Sequence, residues 1–406
     1  MFIAFLFLLL KNEVQIYAVF FIFDQKSAKK MKNTDFIFNI LGEENLESVS
    51  PPIFQTSNFR FRNFKSFRDA LADEEKALIY SRGNNPTLGV LAEKLAALEG
   101  GGKALLFSSG MGAISTAILS VVKSGDHAIC VEGAYSWTHT IFTKILPHYG
   151  VDSHMVPAAR LIENITPLTR LVFIESPLTK TFELLDLKLI ANAAHAVGAV
   201  VMIDNSYSTP LLQRPMDFGV DMVLYSATKY IGGHSDVVGG VLICGSEKYS
   251  EIFKNEYLAF GAIMSPMSAW LFLRGLRTMP IRLKQIAATT KQVIGFLESR
   301  PEVEKLLYPG SISEQQMQLF QSQMKGISGL FSVQFKNKSP EVMEAFVNNL
   351  RFFQMAVSWG GHESLVLPYA LWDEQKHSGM VRFSIGFEEP ETLIADLEQS
   401  LDCLSV

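Results

Sequence analysis

The sequence predicts an α/β fold, a type in which a mostly parallel central sheet is joined to a smaller α+β C-terminal domain. Three observations carry this expectation. Short apolar runs, "ALLFSS", "HAICVE", "RLVFIES", "AVVMIDNS", "MVLYSATK" and "GGVLICG", are separated in several places by helix-like stretches such as "GAISTAILSVVKSG" and "DLKLIANAAHAVGA". Strands that are apolar along their whole length belong in sheets covered on both faces. After about Gly275 the pattern changes to one long helical stretch, then the strand-like runs "GLFSVQF" and "MVRFSIGF", then an amphipathic "PETLIADLEQSL".

The chain has 406 residues, of which 48% are hydrophobic and 19% charged, as befits a globular protein of two domains. Its formal net charge of -5 argues against nucleic acid or an anionic membrane as the main partner. The three cysteines are far apart and match no zinc spacing, which fits a reducing cytoplasm.

The elements follow in order. Residues 1–30 read as a doubtful extension. The apolar runs in "MFIAFLFLLLKNEVQIYAVFFIF" are each too short to span a bilayer and lack the flanks of a signal peptide, and Met31 opens ordinary polar text. Residues 31–80 have few helix signals and read as an extended arm. Residues 81–275 form the α/β domain and 276–406 the C-terminal domain. In "TLGVLAEKLAALEG", Leu88, Leu91, Leu95 and Leu98 share one helical face, with Pro86 as start signal and Gly100 as stop.

Ligands of open α/β sheets sit beyond the carboxyl ends of the strands. Four such ends stand out. "FSSGMGAIS" places Ser108, Ser109, Gly110 and Met111 at a strand-to-helix turn, either a phosphate cradle or a turn shaped by sterics alone. In "VVMIDNS" an apolar strand ends with Asp204, as a helix cap or as the partner of a buried cation. Ser226, Thr228 and Lys229 end "LYSATK", and Tyr135 in "VEGAY" either stacks on a flat group or packs in the core. Together they suit pyridoxal phosphate, which needs a lysine for its aldehyde, a carboxylate for its ring nitrogen and donors for its phosphate. No GxxxxGK[ST] or GxGxxG loop is present, and His234 with Asp236 does not make a metal site, so no metal is expected.

The motifs "PPIFQTSNF", "YSRGNNPT", "LEGG", "FSSGMGAI", "IDNSY", "SATKYIGGHSD", "RGLRT", "SWGGHESL" and "VRFSIG" extend the reading. Over about Ser50 to Leu401 the sequence resembles the Cys/Met-metabolism (trans-sulfuration) family of pyridoxal-phosphate enzymes, the group of cystathionine β-lyase, γ-synthase and γ-lyase. The resemblance implies the type I aminotransferase-like fold, with residues 81–275 binding the cofactor. It makes Lys229 the lysine that carries the cofactor and Asp204 the partner of the ring nitrogen. Tyr135 becomes the stacking ring and, with Lys229, a catalytic residue. Gly110, Met111, Ser226 and Thr228 become phosphate contacts, and Tyr80 and Arg82 reach the phosphate of a neighbouring subunit. Arg382, helped by Ser358, binds the substrate carboxylate, and Trp359 shapes the pocket. It further implies a cytoplasmic homotetramer, a dimer of dimers with shared sites, acting on a small sulfur amino acid.

The reaction branch is narrower. Trp359 and "ESPLTKTFELLDL", with Thr179 where γ-type members carry Asn, resemble bacterial cystathionine β-lyases, as does "AYSWTHTIFTKIL". "SPMSAWLFLRGLRT" and "YSRGNNPT" look like γ-type members. Thr140 stands where the β-lyases carry an acidic residue, and Trp137 where methionine γ-lyases carry a cysteine. The expectation is β-elimination giving pyruvate, ammonia and a thiol. The alternatives are a γ-synthase or γ-lyase and, from another class, a pyridoxal-phosphate-binding protein without turnover.

Overall fold

The computed structural model describes residues 48–373 and 377–404. The extension at 1–30 and the first part of the arm lie outside the described residues.

Seven strands form the larger sheet: β1 (Lys103–Phe107), β2 (His127–Val131), β3 (Asp152–Val156), β4 (Thr169–Glu175), β5 (Val200–Asp204), β6 (Met222–Ser226) and β7 (Gly240–Cys244). Their order is β1-β7-β6-β5-β4-β2-β3. All are mutually parallel except β7, which runs antiparallel between β1 and β6. The near-continuous apolar runs have a direct cause. Val201 and Ile203 enter the core on one face while Met202, between them, enters the core on the other. β3 is the exception. It is an edge strand, its exposure alternates, and Asp152, Ser153 and His154 hide it from a search for apolar runs.

The helix Pro86–Glu99 covers one face. Its N-cap Asn85 accepts from the Thr87 amide, and Gly100 closes it at φ 102° in the left-handed region where glycine carries no Cβ penalty. The helix Gly110–Leu119 covers the other, capped by the Ser109 hydroxyl.

A second sheet combines β8 (Val303–Leu307), β9 (Leu330–Phe335), β10 (Gln354–Met355), β11 (Leu365–Pro368) and β12 (Met380–Ser384) in the order β10-β11-β12-β9-β8. The helix Pro266–Glu298 joins the two sheets and starts nine residues before Gly275, after which the sequence pattern turns helical. At 33 residues it is about 50 Å long. Ala269, Phe272 and Leu276 bury its first half, and Ile286, Val293 and Leu297 its second, all in one continuous core.

The arm docks through polar contacts. The Phe54 amide donates to Thr87 Oγ1 (2.9 Å) and Trp270 Nε1 to the Pro51 carbonyl (3.1 Å). It also holds a helix, Phe64–Ala72, where helix signals are few. Asn63 and Ser66 cap its start reciprocally, and Phe64, Phe67 and Leu71 form an apolar stripe at i, i+3 and i+7, although none of its residues is buried. Among the described residues no helix is long and apolar enough to cross a membrane.

Candidate active site

The strand ends converge as the topology requires. β4 and β5 place Glu175 and Asp204 side by side in register. β6 ends at Ser226, and antiparallel β7 begins beside it at Gly240, which pairs with both Ser226 and Phe107. The turn after β1 lies against this pair. A Cβ on Gly110 would stand 3.1 Å from Ser226 Cβ, and one on Gly240 would stand 2.1 Å from the Ser109 carbonyl. Ser109 Oγ accepts the Gly112 amide at 3.0 Å. The amides of Gly110 and Met111 have no acceptor among the described residues. They are the free donors that a helix start turns toward an anion. Ser226 lines the same cradle. Thr228 Oγ1 is tied to Gly239, accepting its amide at 3.1 Å.

Lys229 sits in the turn after β6, its amide donating to the Ser226 carbonyl (3.1 Å). Its Nζ donates to Ser358 Oγ at 2.6 Å and stands 5.5 Å from the Trp359 ring centroid. Ser358 has a φ of 74°, a left-handed conformation that costs a non-glycine residue energy and is found at functional positions. That conformation lets one residue serve two partners. Its hydroxyl receives the lysine while its carbonyl receives Arg382 Nη2 at 2.8 Å. Arg382, on β12, is buried without a carboxylate partner among the described residues.

Charge follows from this packing. Burial pushes the Lys229 ammonium down to about 8, helped by the positive charge of Arg382 and opposed by Asp204. Burial raises the Asp204 carboxyl, while bonds from Ser206 and the charge of Lys229 hold it down. Its Oδ1 accepts the Ser206 amide at 3.0 Å. Burial also lowers the Arg382 guanidinium, against the neighbouring Tyr369 phenol. The ring of Tyr135 is 41% exposed, so one side is open to a ligand. Burial raises its phenol, and the charges of Asp204 and Glu175 add to that.

The structure therefore brings Lys229, Ser358, Trp359 and Arg382 into direct contact. It sets Asp204, Tyr135, Gly110, Met111, Ser226 and Thr228 around them. Tyr80 and Arg82 pair with each other. Arg82 lies over the Tyr80 ring at 5.3 Å, and among the described residues neither side chain hydrogen-bonds to the Lys229 cluster. His234 Nδ1 contacts the Gly232 carbonyl of its own loop (2.7 Å), and Asp236 is exposed.

Glu175 was not among the strand ends singled out, although it closes β4 and the apolar part of "RLVFIES". Its Oε2 accepts the Tyr135 amide at 2.9 Å and its Oε1 accepts the Thr179 hydroxyl. Burial and the charge of Asp204 raise its carboxyl. Tyr369 then donates to the Thr179 carbonyl at 3.2 Å. A line of contacts thus runs from the Tyr135 backbone through Glu175 and Thr179 to Tyr369 beside Arg382. The rule that picked out Asp204, a carboxylate closing an apolar strand, points equally to Glu175.

An anion cradle, a half-buried lysine of lowered pKa and a nearby carboxylate form the donor set that pyridoxal phosphate requires, so the residues fit that cofactor. Residues 38–402 match the model of the family described as Cys/Met metabolism PLP-dependent enzyme. The chain belongs to this family. It is 34% identical over 377 residues to the cystathionine gamma-lyase of Bacillus subtilis, covering 89% of this chain and 97% of that protein. It is also 34% identical over 368 residues to the cystathionine beta-lyase MetC of the same organism, covering 87% and 92%. The solved cystathionine gamma synthase of Xanthomonas oryzae pv. oryzae superposes with a TM-score of 0.86 at 31% identity, covering 92% of this chain and 99% of that one. The family expectation and the α/β fold with a second sheet domain are both borne out. The protein is a pyridoxal-phosphate-dependent enzyme of sulfur amino-acid metabolism, and its substrate is a small amino acid.

Proposed function

We propose that the enzyme is a β-lyase: it cleaves a cysteine thioether such as cystathionine at Cβ and releases pyruvate, ammonia and a thiol. When bound, pyridoxal phosphate supplies an aldehyde for the lysine and a sink for electrons released at Cα. The chain's own residues do the rest. Arg382 grips the α-carboxylate through its guanidinium fork, and the Ser358 carbonyl orients that fork. Asp204 supplies the carboxylate that pairs with the ring nitrogen, and Tyr135 the ring that covers one face. The amides of Gly110 and Met111, with Ser226 and Thr228, hold the phosphate. Lys229, with its pKa near 8, is available as a neutral amine and takes the α-proton, while Ser358 Oγ holds its Nζ in place.

The observation that carries the β-lyase reading is Trp359. Its indole stands 5.5 Å from Lys229 Nζ and is packed on the Tyr230 ring at 5.4 Å. A γ-type reaction requires a second proton to be moved at Cβ, so the amine must travel. The indole occupies space next to that amine. The relatives at equal identity include a gamma-lyase, and they leave this choice open.

The test is product identification with cystathionine, cysteine, methionine and an O-acylhomoserine tried separately. Pyruvate from a cysteine thioether supports the reading. A yield of 2-oxobutyrate without pyruvate overturns it in favour of γ-elimination. The absence of turnover on all four would favour a binding protein.

The assembly belongs to the same proposal. Tyr80 is 45% exposed, and among the described residues neither it nor Arg82 hydrogen-bonds to its own chain's Lys229 cluster, which suits a role in a neighbouring site. A homotetramer of two site-sharing dimers follows. Residues 31–80 act as the arm, 81–275 as the cofactor domain and 276–406 as the C-terminal domain. The three cysteines are free thiols, in keeping with a cytoplasmic enzyme.

A further inference from the structure

We infer that the chain carries a binding site for a divalent cation of the zinc type, formed by His127, Asp152 and His154 at the end of the large sheet opposite the active site. The sequence gives no hint of it, because His127 and Asp152 are brought together only by strand pairing. His127 opens β2, and Asp152 opens β3, which runs parallel beside it. In that register His127 lies opposite Asp152 and Ile129 opposite His154. Side chains alternate along a strand, so the three candidate ligands share one face. One ligand atom from each lies within 4.8 Å of those of the other two. Imidazole and carboxylate together suit zinc and its neighbours, whereas calcium and magnesium take oxygen alone.

The distances are close to what coordination needs. Ligands about 2.1 Å from a tetrahedral zinc lie roughly 3.4 Å apart, and two imidazoles on it have centroids roughly 5 Å apart. The rings of His127 and His154 are 5.7 Å apart at an interplanar angle of 47°. Closure therefore asks for movements of about an ångström by side chains on the outside of the protein. The side chains of His154 and Asp152 are 58% and 67% exposed, and they now contact each other at 2.7 Å. A metal would replace this exposed pair, which contributes little to stability.

His127 is the anchored member. Its Nδ1 lies 2.8 Å from Oγ1 of the buried Thr169, the first residue of β4. That hydroxyl already accepts the Thr166 amide at 2.8 Å. When it also accepts Nδ1–H, the ring's orientation is fixed and the Nε2 lone pair is left for a metal. Protein ligands of catalytic and structural zinc are oriented in this way by outer hydrogen bonds. Three protein ligands and a water complete a tetrahedron. Such an ion would clip the edge strand β3 to β2 at their starts, a full strand length from Tyr135.

The experiment uses untagged holoenzyme, dialysed against a chelator and then titrated with Zn2+ by calorimetry. The expected result is saturable binding of one Zn2+ per chain. His127→Ala and His154→Ala should each weaken it at least about tenfold, and Thr169→Val about tenfold. Zn2+ should also raise the thermal midpoint of the wild type but not that of the His127→Ala/His154→Ala double variant. Both single variants should keep normal turnover, which reports an intact fold. The proposal is overturned if no saturable binding occurs. It is equally overturned if Zn2+ binds wild type and both histidine variants with one affinity, since the ion then sits elsewhere.

Discussion

At the scale of single residues, the chemistry rests on what burial does to Lys229. A lysine in water ionises near 10.4. Here burial and Arg382 bring it to about 8, because two cations share a site largely shielded from solvent. Capture of the cofactor's aldehyde needs the neutral amine. The rate at which cofactor-free enzyme recombines with pyridoxal phosphate should therefore rise with pH and reach half its maximum near pH 8. A rate still climbing steeply above pH 10 would mean an ordinary lysine. Much of this site was legible beforehand. Lys229, Asp204 and Tyr135 each close or follow an apolar run, and "SWGGHESL" and "VRFSIG" pointed to Ser358 and Arg382 through the resemblance. What could not be read was contact. Lys229 and Ser358 are 129 residues apart, and only the fold makes the hydroxyl the lysine's acceptor. Glu175 was legible by the strand-end rule, but one of its two partners is the Tyr135 backbone amide, 40 residues away, which no sequence pattern announces.

At the scale of elements, the cradle depends on how closely β7 approaches the turn after β1. Gly240 pairs with Phe107 on one side and Ser226 on the other, so it lies between the two halves of the phosphate site. A methyl group there would meet the Ser109 carbonyl oxygen at 2.1 Å and its carbon at 2.7 Å. Both are backbone atoms, which cannot rotate away. Gly240→Ala should cost about 1–3 kcal/mol of stability through overpacking. It should also weaken cofactor binding about tenfold or more, equivalent to about 1.4 kcal/mol, by pushing the Gly110 and Met111 amides out of line. Thermal unfolding and cofactor titration measure the two effects. The elements themselves were unevenly legible. Pro86, Gly100 and four leucines marked one helix almost to its ends. The strands β3, β8 and β10 were not read, because their exposed positions break the apolar run that marks a buried strand; β11 is apolar and buried but only four residues long and ends on Pro368. The helix Phe64–Ala72 was legible from Phe64, Phe67 and Leu71 at i, i+3 and i+7, a stripe of only two turns that was passed over.

At the scale of the whole molecule, the question is where Tyr80 and Arg82 act. They are held at the base of the arm, with Tyr80 bridged to Asn58 and stacked under Arg82. If they complete a neighbouring subunit's phosphate site, Lys229→Ala and Arg82→Ala subunits are each deficient for a different reason. Mixed under conditions of subunit exchange, they should recover about one quarter of wild-type turnover. Random exchange makes half of the dimers hybrid, and each hybrid holds one complete site. No recovery, with exchange demonstrated by light scattering or mass spectrometry, would mean that each chain completes its own site.

The central claim is that Lys229 is the residue that carries the cofactor. Reduction of the holoenzyme with borohydride fixes the covalent link, and peptide mapping by mass spectrometry locates it. The added mass should appear on the peptide that contains Lys229, with loss of the visible absorption band, and Lys229→Ala should acquire no added mass. A modified peptide that contains any other lysine, or an unchanged adduct in Lys229→Ala, would contradict it.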